Sequence, residues 1–208
     1  MSELSDEEIR PIVQRVVAQL IGGAKQESTP PVQPEPAPQP VQAEAAKVTP
    51  KVVAMGADHG GYDLKEILKK DVIALGYEVL DVGTHSKEPV DYPDLAHEVA
   101  RAVGGGSAWR GIIIDGAGIG SCIVANKVPG VRAGMAYDHA SAVNGREHND
   151  TNVLTLGAGL IGVNLAKQIV ATWLATPFGG GRHERRVNKI VMIEKFYTKW
   201  VHLIDRDK

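Results

Sequence analysis

Cysteine is nearly absent from the sequence. The one thiol, Cys122, excludes an internal disulfide and fits a reducing cytosol. No apolar run is long enough to span a bilayer, so a membrane is not expected as a partner. There is no basic block, and the net charge is only -2, which makes nucleic acid and anionic membrane surfaces poor partners. The first residues, "MSELSDEEIR", are acidic, unlike a secretory signal or a transit peptide. These absences leave a cytoplasmic globular protein of 208 residues, one ordinary domain with chain to spare.

The surplus lies at the N-terminus. Residues 5 to 24 place Ile9, Ile12, Val13, Val16, Val17, Leu20 and Ile21 at three- and four-residue steps, the pattern of a helix with one apolar stripe. Ser5 and Glu8 have the spacing of a capping box, and Gly22-Gly23 supplies a stop. Pro11 allows the regular helix to begin near Arg10, with the proline in its first turn. Residues 26–50 hold seven prolines among Gln, Glu, Ala and Val, the composition of an extended, disordered linker. The expected division is therefore a helix for targeting or interaction over 1–25, a linker over 26–50 and a folded domain over 51–208. A tethered apolar stripe needs a partner: its own domain, a sister subunit or another protein.

From Lys51 short apolar strands alternate with helical segments. Strands are expected at Val52–Met55, Glu78–Val82, Gly111–Asp115, Arg132–Ala136 and Val153–Leu156, with helices near 61–75, 92–104, 119–127, 138–146 and 162–175. Strict alternation implies a five-stranded parallel sheet covered on both faces, a three-layer α/β/α domain of Rossmann-like type. A last helix over 183–204 carries Val187, Ile190, Val191, Ile193, Phe196, Trp200 and Leu203. It covers its own sheet or reaches a partner.

Ligands in such folds bind at the carboxyl ends of the strands. Polar and glycine-rich clusters are expected there: Asp58 and His59 in "GADHGGYDLK", Tyr92 in "VDYPD", and Asp115 with Gly116, Gly118 and Gly120 in "GIIIDGAGIGSC". His148 and Asn149 in "REHNDTNVL", and Arg182, His183, Arg185 and Arg186 in "GGGRHERR", are assigned to the same cleft. Singly each has an ordinary structural reading, as a helix cap, a tight turn or a solvated face. The glycines lack the GxGxxG spacing of a dinucleotide fingerprint. Together, exposed amides at a helix start and arginines suit an anionic small molecule, and histidine with carboxylate suits proton transfer.

The stretches "ADHGGYDLK", "DVGTHS", "VDYPD", "GAGIG", "ANKVPGVRA", "REHNDTNVLTLGA" and "TPFGGGRHERRVNKI" occur in order across residues 51 to 195. In them the domain resembles the ribose-5-phosphate isomerase type B family, which includes the galactose-6-phosphate isomerase subunits. The resemblance implies an aldose–ketose isomerase of a phosphosugar, working through an enediolate without metal or organic cofactor, as a homodimer with sites at the subunit interface. It also implies roles. Asp58 and Tyr92 line the sugar pocket, His59 lies near the phosphate, and His148 opens the sugar ring. Asn149 holds the chain, and Arg182 and Arg186 bind phosphate from across the interface. The amides of Gly116, Ala117, Gly118, Ile119 and Gly120 cradle the enediolate.

The sequence also departs from that pattern. Asp115 stands where many members carry a cysteine that acts as the base, Ala117 where threonine or serine is usual, and Gly159 where a phosphate-binding arginine is common. Some relatives use a glutamate as base at the position of Ser121. Asp115 is therefore expected to be the base, already ionised at neutral pH where a thiol must first ionise. The competing reading is that it only caps the following helix. The substrate stays open between ribose 5-phosphate and a related aldose phosphate, and a weakly catalytic binding or scaffold homologue is the alternative. The N-terminal helix and linker resemble the encapsulation peptides of bacterial microcompartment cargo. That resemblance implies shell or cargo proteins as partners of residues 1–25, and an enzyme packaged inside such a compartment.

Overall fold

A computed structural model describes residues 51–204 of the chain, with side chains to Thr198. The expected helix at 5–24 and linker at 26–50 lie outside the described residues. The elements are β1 (Val52–Ala57), α1 (Tyr62–Ala74), β2 (Glu78–Gly83), α2 (Tyr92–Gly104), β3 (Arg110–Asp115) and α3 (Ile119–Ala125). They continue with β4 (Ala133–Met135), α4 (His139–Asn149), β5 (Val153–Gly157), α5 (Val163–Ala175) and α6 (Arg182–Ile204). All strand pairs are parallel, in the order β2-β1-β3-β5-β4. This is the expected three-layer α/β/α, Rossmann-like arrangement. The fourth strand is shorter than the span expected at 132–136.

The run Ile112-Ile113-Ile114 shows why β3 lies at the centre of the sheet. Successive strand residues point to opposite faces, so an unbroken apolar run belongs where both faces are covered. Ile112 and Ile114 join Val53, Met55, Leu154 and Leu156 under α1 and α5, against Leu68, Ile169 and Trp173. Ile113 joins Ala54 and Val153 on the other face, under Val99 and Val103 of α2. Each face has its own apolar core, and the loops at the two ends of the strands are free for chemistry.

One ion cluster fastens α1 to β2. Lys65, wholly buried, places Nζ 2.7 Å from both carboxylate oxygens of Asp81. Lys69 Nζ lies 2.7 Å from Asp81 Oδ2, and Glu66 bridges both lysines. Burial raises the Asp81 pKa, but hydrogen bonds from Lys65, Lys69 and the Gly83 amide outweigh it and hold the carboxyl below its usual range. A carboxyl depressed in the folded state contributes stability above its unfolded pKa, and loses that contribution as pH falls through the folded value. Asp81→Asn should cost about 1.5–3 kcal/mol at neutral pH, because it removes the charged acceptor shared by Lys65 and Lys69 and leaves Glu66 as their remaining carboxylate. Thermal melts from pH 7 to pH 3 check this: the gap between variant and wild type should be constant down to about pH 4 and narrow below it.

Candidate active site

The β3–α3 turn forms the centre of the carboxyl edge. β3 ends at Asp115, which is 5% exposed. Its Oδ1 accepts hydrogen bonds from the Ala117 amide, at 2.8 Å, and from the Gly118 amide. Its Oδ2 accepts from the Ser121 amide, at 3.1 Å, and from the Ser121 hydroxyl. This wrap requires the chain to reverse at Gly118, whose φ of +79° is open to glycine at little cost. The carboxylate thus sits at the positive end of α3, where donors face negative charge.

Neighbouring loops complete this edge. The Asp58 amide donates to the Ile114 carbonyl, which sets the β1–α1 loop beside the end of β3, and Asp58 Oδ1 accepts from the Gly61 amide at 2.9 Å. His59 is exposed, with Nδ1 3.3 Å from both backbone polar atoms of Val90. Tyr92 opens α2 and lays its half-exposed ring on Gly120, where an added Cβ would stand 2.5 Å from the ring. Gly159 donates its amide to the Gly116 carbonyl at 3.0 Å, so the loop after β5 closes the far side. Asp58, His59, Tyr92 and residues 115–120 therefore share one edge, as expected.

His148 and Asn149 do not belong to that edge. They end α4 and precede β5, and in a parallel sheet a segment that leads into a strand lies at its amino end. The five residues of β5 separate the two ends by about 16 Å. The expectation that His148 lines one cleft with Asp58 and Asp115 of the same chain, with Arg182 and Arg186 reaching in from a partner, is thereby corrected for His148, because a loop before a strand and a loop after it face opposite ways. His148 instead stacks on His183, with ring centroids 4.1 Å apart and planes 6° from parallel. Asn144 Nδ2 lies 2.8 Å from His148 Nδ1, and Asn149 donates to the carbonyl and side-chain oxygens of Asn144. Arg182 Nε contacts His183 Nε2 at 3.3 Å, and Arg182 and Arg186 are both exposed, one helical turn apart on α6.

The backbone around this second cluster is firmly held. Asp150, left-handed at φ +46°, pairs with Arg132 at 2.6 Å and with Arg146 at 2.9 Å. The Gly179 amide donates to the Glu147 carbonyl and ties the start of α6 to the end of α4. Burial, then the charges of His148, Arg182 and Arg186, hold the His183 imidazole below its usual range. One chain thus carries two separate polar clusters: one around Asp115 at the carboxyl edge, and one of His148, Asn149, Arg182 and Arg186 at the amino edge.

Two further residues change the reading of the β3–α3 turn. Ser121 is the fourth donor to Asp115, and only its place in the first turn of the following helix hints at this in the sequence. Gly118, expected to offer its amide to the ligand, turns it onto Asp115, as does Ala117. The amides of Ile119 and Gly120, in the first turn of α3, have no intrahelical acceptor. Cys122, the one thiol of the chain, points its Sγ at the Ala133 carbonyl, 3.5 Å away, and burial pushes its pKa up.

Residues 53–190 match the family model described as Ribose/Galactose Isomerase. The chain is 46% identical over 145 residues to ribose-5-phosphate isomerase B of Escherichia coli, which covers 70% of this chain and 97% of that protein. It is 42% identical over 142 residues to the D-erythrulose-4-phosphate isomerase of Pectobacterium atrosepticum, covering 66% of this chain and 91% of that one. Among solved structures, ribose-5-phosphate isomerase B of Clostridium thermocellum superposes with a TM-score of 0.69 at 51% identity, over 70% of this chain and 99% of that one.

Proposed function

The chain belongs to the ribose/galactose isomerase family and is an aldose–ketose isomerase of a phosphosugar; on that premise we propose which residues carry the reaction and what assembly unites them. The observation that carries the reading is Asp115: a buried carboxylate at the open edge of the sheet, between the Asp58–His59 loop and the first turn of α3. Asp115 takes the proton from the carbon next to the sugar carbonyl and returns it to the adjacent carbon. The enediolate formed between these steps rests on the amides of Ile119 and Gly120, with Gly116 beside them, as a developing oxyanion requires. Asp58 and Tyr92 hold the sugar, and His59 faces its phosphate. The substrate is ribose 5-phosphate with ribulose 5-phosphate, or a close relative. The identity to a D-erythrulose-4-phosphate isomerase makes a tetrose phosphate part of the test.

The remaining groups come from a second copy. A homodimer that sets the amino edge of one chain on the carboxyl edge of the other brings His148 to open the ring, Asn149 to hold the chain, and Arg182 and Arg186 to bind phosphate. The separation of the two half-sites within one chain supports this assembly, since neither half alone holds both a base and a phosphate clamp. Nuclear magnetic resonance of phosphotetroses, phosphopentoses, deoxypentose phosphates and phosphohexoses with the full-length protein tests the substrate. One aldose–ketose pair should interconvert far faster than the rest. No conversion of any of them would leave the scaffold reading in its place.

Residues 1–25 are proposed to act as an interaction tag that docks on microcompartment shell or cargo proteins, as an amphipathic helix docks in a groove. Among the described residues no helix is long and apolar enough to cross a membrane. Deletion of residues 1–45 should leave kcat within about twofold and the melting temperature nearly unchanged, since the tag makes no part of the site. It should also abolish co-purification with shells. A large loss of activity or stability on deletion would place the segment in the catalytic fold instead.

A further inference from the structure

Asp115 has four hydrogen-bond donors, and they are not equivalent. Three are backbone amides, of Ala117, Gly118 and Ser121, and an amide N–H donates and never accepts. The fourth is the Ser121 hydroxyl, a rotor that either donates or accepts. This distinction matters for a carboxylate that acts as a base. After it takes a proton it becomes a donor as well, and at 5% exposure there is little water to receive that hydrogen. A buried donor without an acceptor is costly.

We propose that Ser121 is a positioning residue for the isomerase reaction, and that its hydroxyl reverses its hydrogen bond with Asp115 Oδ2 when the carboxylate becomes a carboxylic acid. This rests on the proposal that Asp115 is the base. In the resting state the hydroxyl donates to Oδ2. When the C–H bond next to the sugar carbonyl breaks, its electron pair goes to the enediolate and its proton goes to Oδ2. The new O–H donates to Ser121 Oγ. The serine hydrogen then turns to a carbonyl of the preceding turn, the usual alternative partner of a helical serine. The hydroxyl proton passes from one enediolate oxygen to the other, and return of the first proton to the neighbouring carbon restores the carboxylate and the first arrangement. The sugar is oxidised at one carbon and reduced at the next, so no outside oxidant or reductant enters.

The three fixed amides assign the roles of the two oxygens. Oδ1 faces only amides and stays an acceptor throughout, while Oδ2 carries the proton. Ser121 is wholly buried and spends both its amide and its hydroxyl on Asp115 Oδ2, so it acts through Asp115. Its removal should therefore change the rate of proton transfer and leave substrate affinity alone.

The test is a double-mutant cycle on the full-length protein, with whichever phosphosugar the substrate screen identifies. Ser121→Ala should lower kcat about tenfold, the effect of one hydrogen bond to a charged group, with KM within about twofold. Ser121→Thr keeps the hydroxyl and should recover most of that loss; its melting temperature shows whether the added methyl is accommodated. In the Asp115→Asn background, Ser121→Ala should have no further effect, because residues that act as one unit are non-additive. A Ser121→Ala enzyme with unchanged kcat, or one that loses activity through KM alone, overturns the proposal. So does a loss that adds in full to that of Asp115→Asn. Failure of the Asp115 reading looks different: Asp115→Asn itself would then keep its rate.

Discussion

Asp115→Asn should lower kcat by about a hundredfold or more, the scale of a general base. The amide fills the same space but has no lone pair basic enough to take a carbon-bound proton. The structure adds a cost in stability. Both carboxylate oxygens accept two hydrogen bonds, and the asparagine NH2 replaces one of those acceptors with a donor. It then faces the Ser121 amide, donor against donor. The expected destabilisation is about 1–2 kcal/mol, the size of a lost helix cap, so rates must be compared well below the melting temperature. Loss of rate with little change in KM separates loss of the base from loss of fold. Asp115→Cys should keep partial activity, with its optimum moved to higher pH because the thiol must ionise first. Cys122 will not substitute for Asp115: its thiol is turned toward β4, and burial raises its pKa.

Mixing damaged subunits should restore activity, and the pattern of recovery should follow the two edges of the sheet. On the proposed assembly, Asp115→Asn disables the acid–base half and Arg186→Ala the cationic half. Each variant should be nearly inactive by itself, since every site of the proposed homodimer lacks one half. In a hybrid, one site carries both lesions and the other carries neither. Random exchange gives hybrids in half of the dimers, so about a quarter of wild-type activity should return. His148→Ala makes the prediction sharper. Its ring stacks on His183, beside Arg182, so it belongs with the arginines. Asp115→Asn mixed with His148→Ala should recover, whereas His148→Ala mixed with Arg186→Ala should not, because both lesions fall on the same half. Recovery of the second pair alone would mean that His148 acts beside Asp115, and absence of recovery in demonstrably mixed dimers would rule out shared sites.

The positions of β1, β3 and β5 were legible because a short apolar run between glycine-rich turns is hard to read otherwise, and Ile112-Ile113-Ile114 is buried on both faces as such a run requires. The clusters that follow strands were legible for the same reason, since the polarity of a parallel strand fixes which end its exit loop occupies. The residue types of His148 and Asn149 suit a ligand site, but they do not convey that the two precede β5 and so lie at its amino end. What the sequence did not disclose was the hydrogen bonding of single atoms. A serine six residues after an aspartate is unremarkable until the turn at Gly118 brings the two together. The shortness of β4 was also hidden: Arg132, at the start of the expected strand, is drawn to Asp150.

The most direct test of the account is proton nuclear magnetic resonance of ribose 5-phosphate and the other phosphosugars with the wild-type protein and Asp115→Asn, run side by side in heavy water. Wild type should convert one aldose to its ketose, with the signal of the hydrogen on the carbon next to the carbonyl disappearing as the ketose appears. Asp115→Asn, folded at the temperature of the assay, should leave that signal in place about a hundredfold longer. Conversion by Asp115→Asn at close to the wild-type rate would contradict the account.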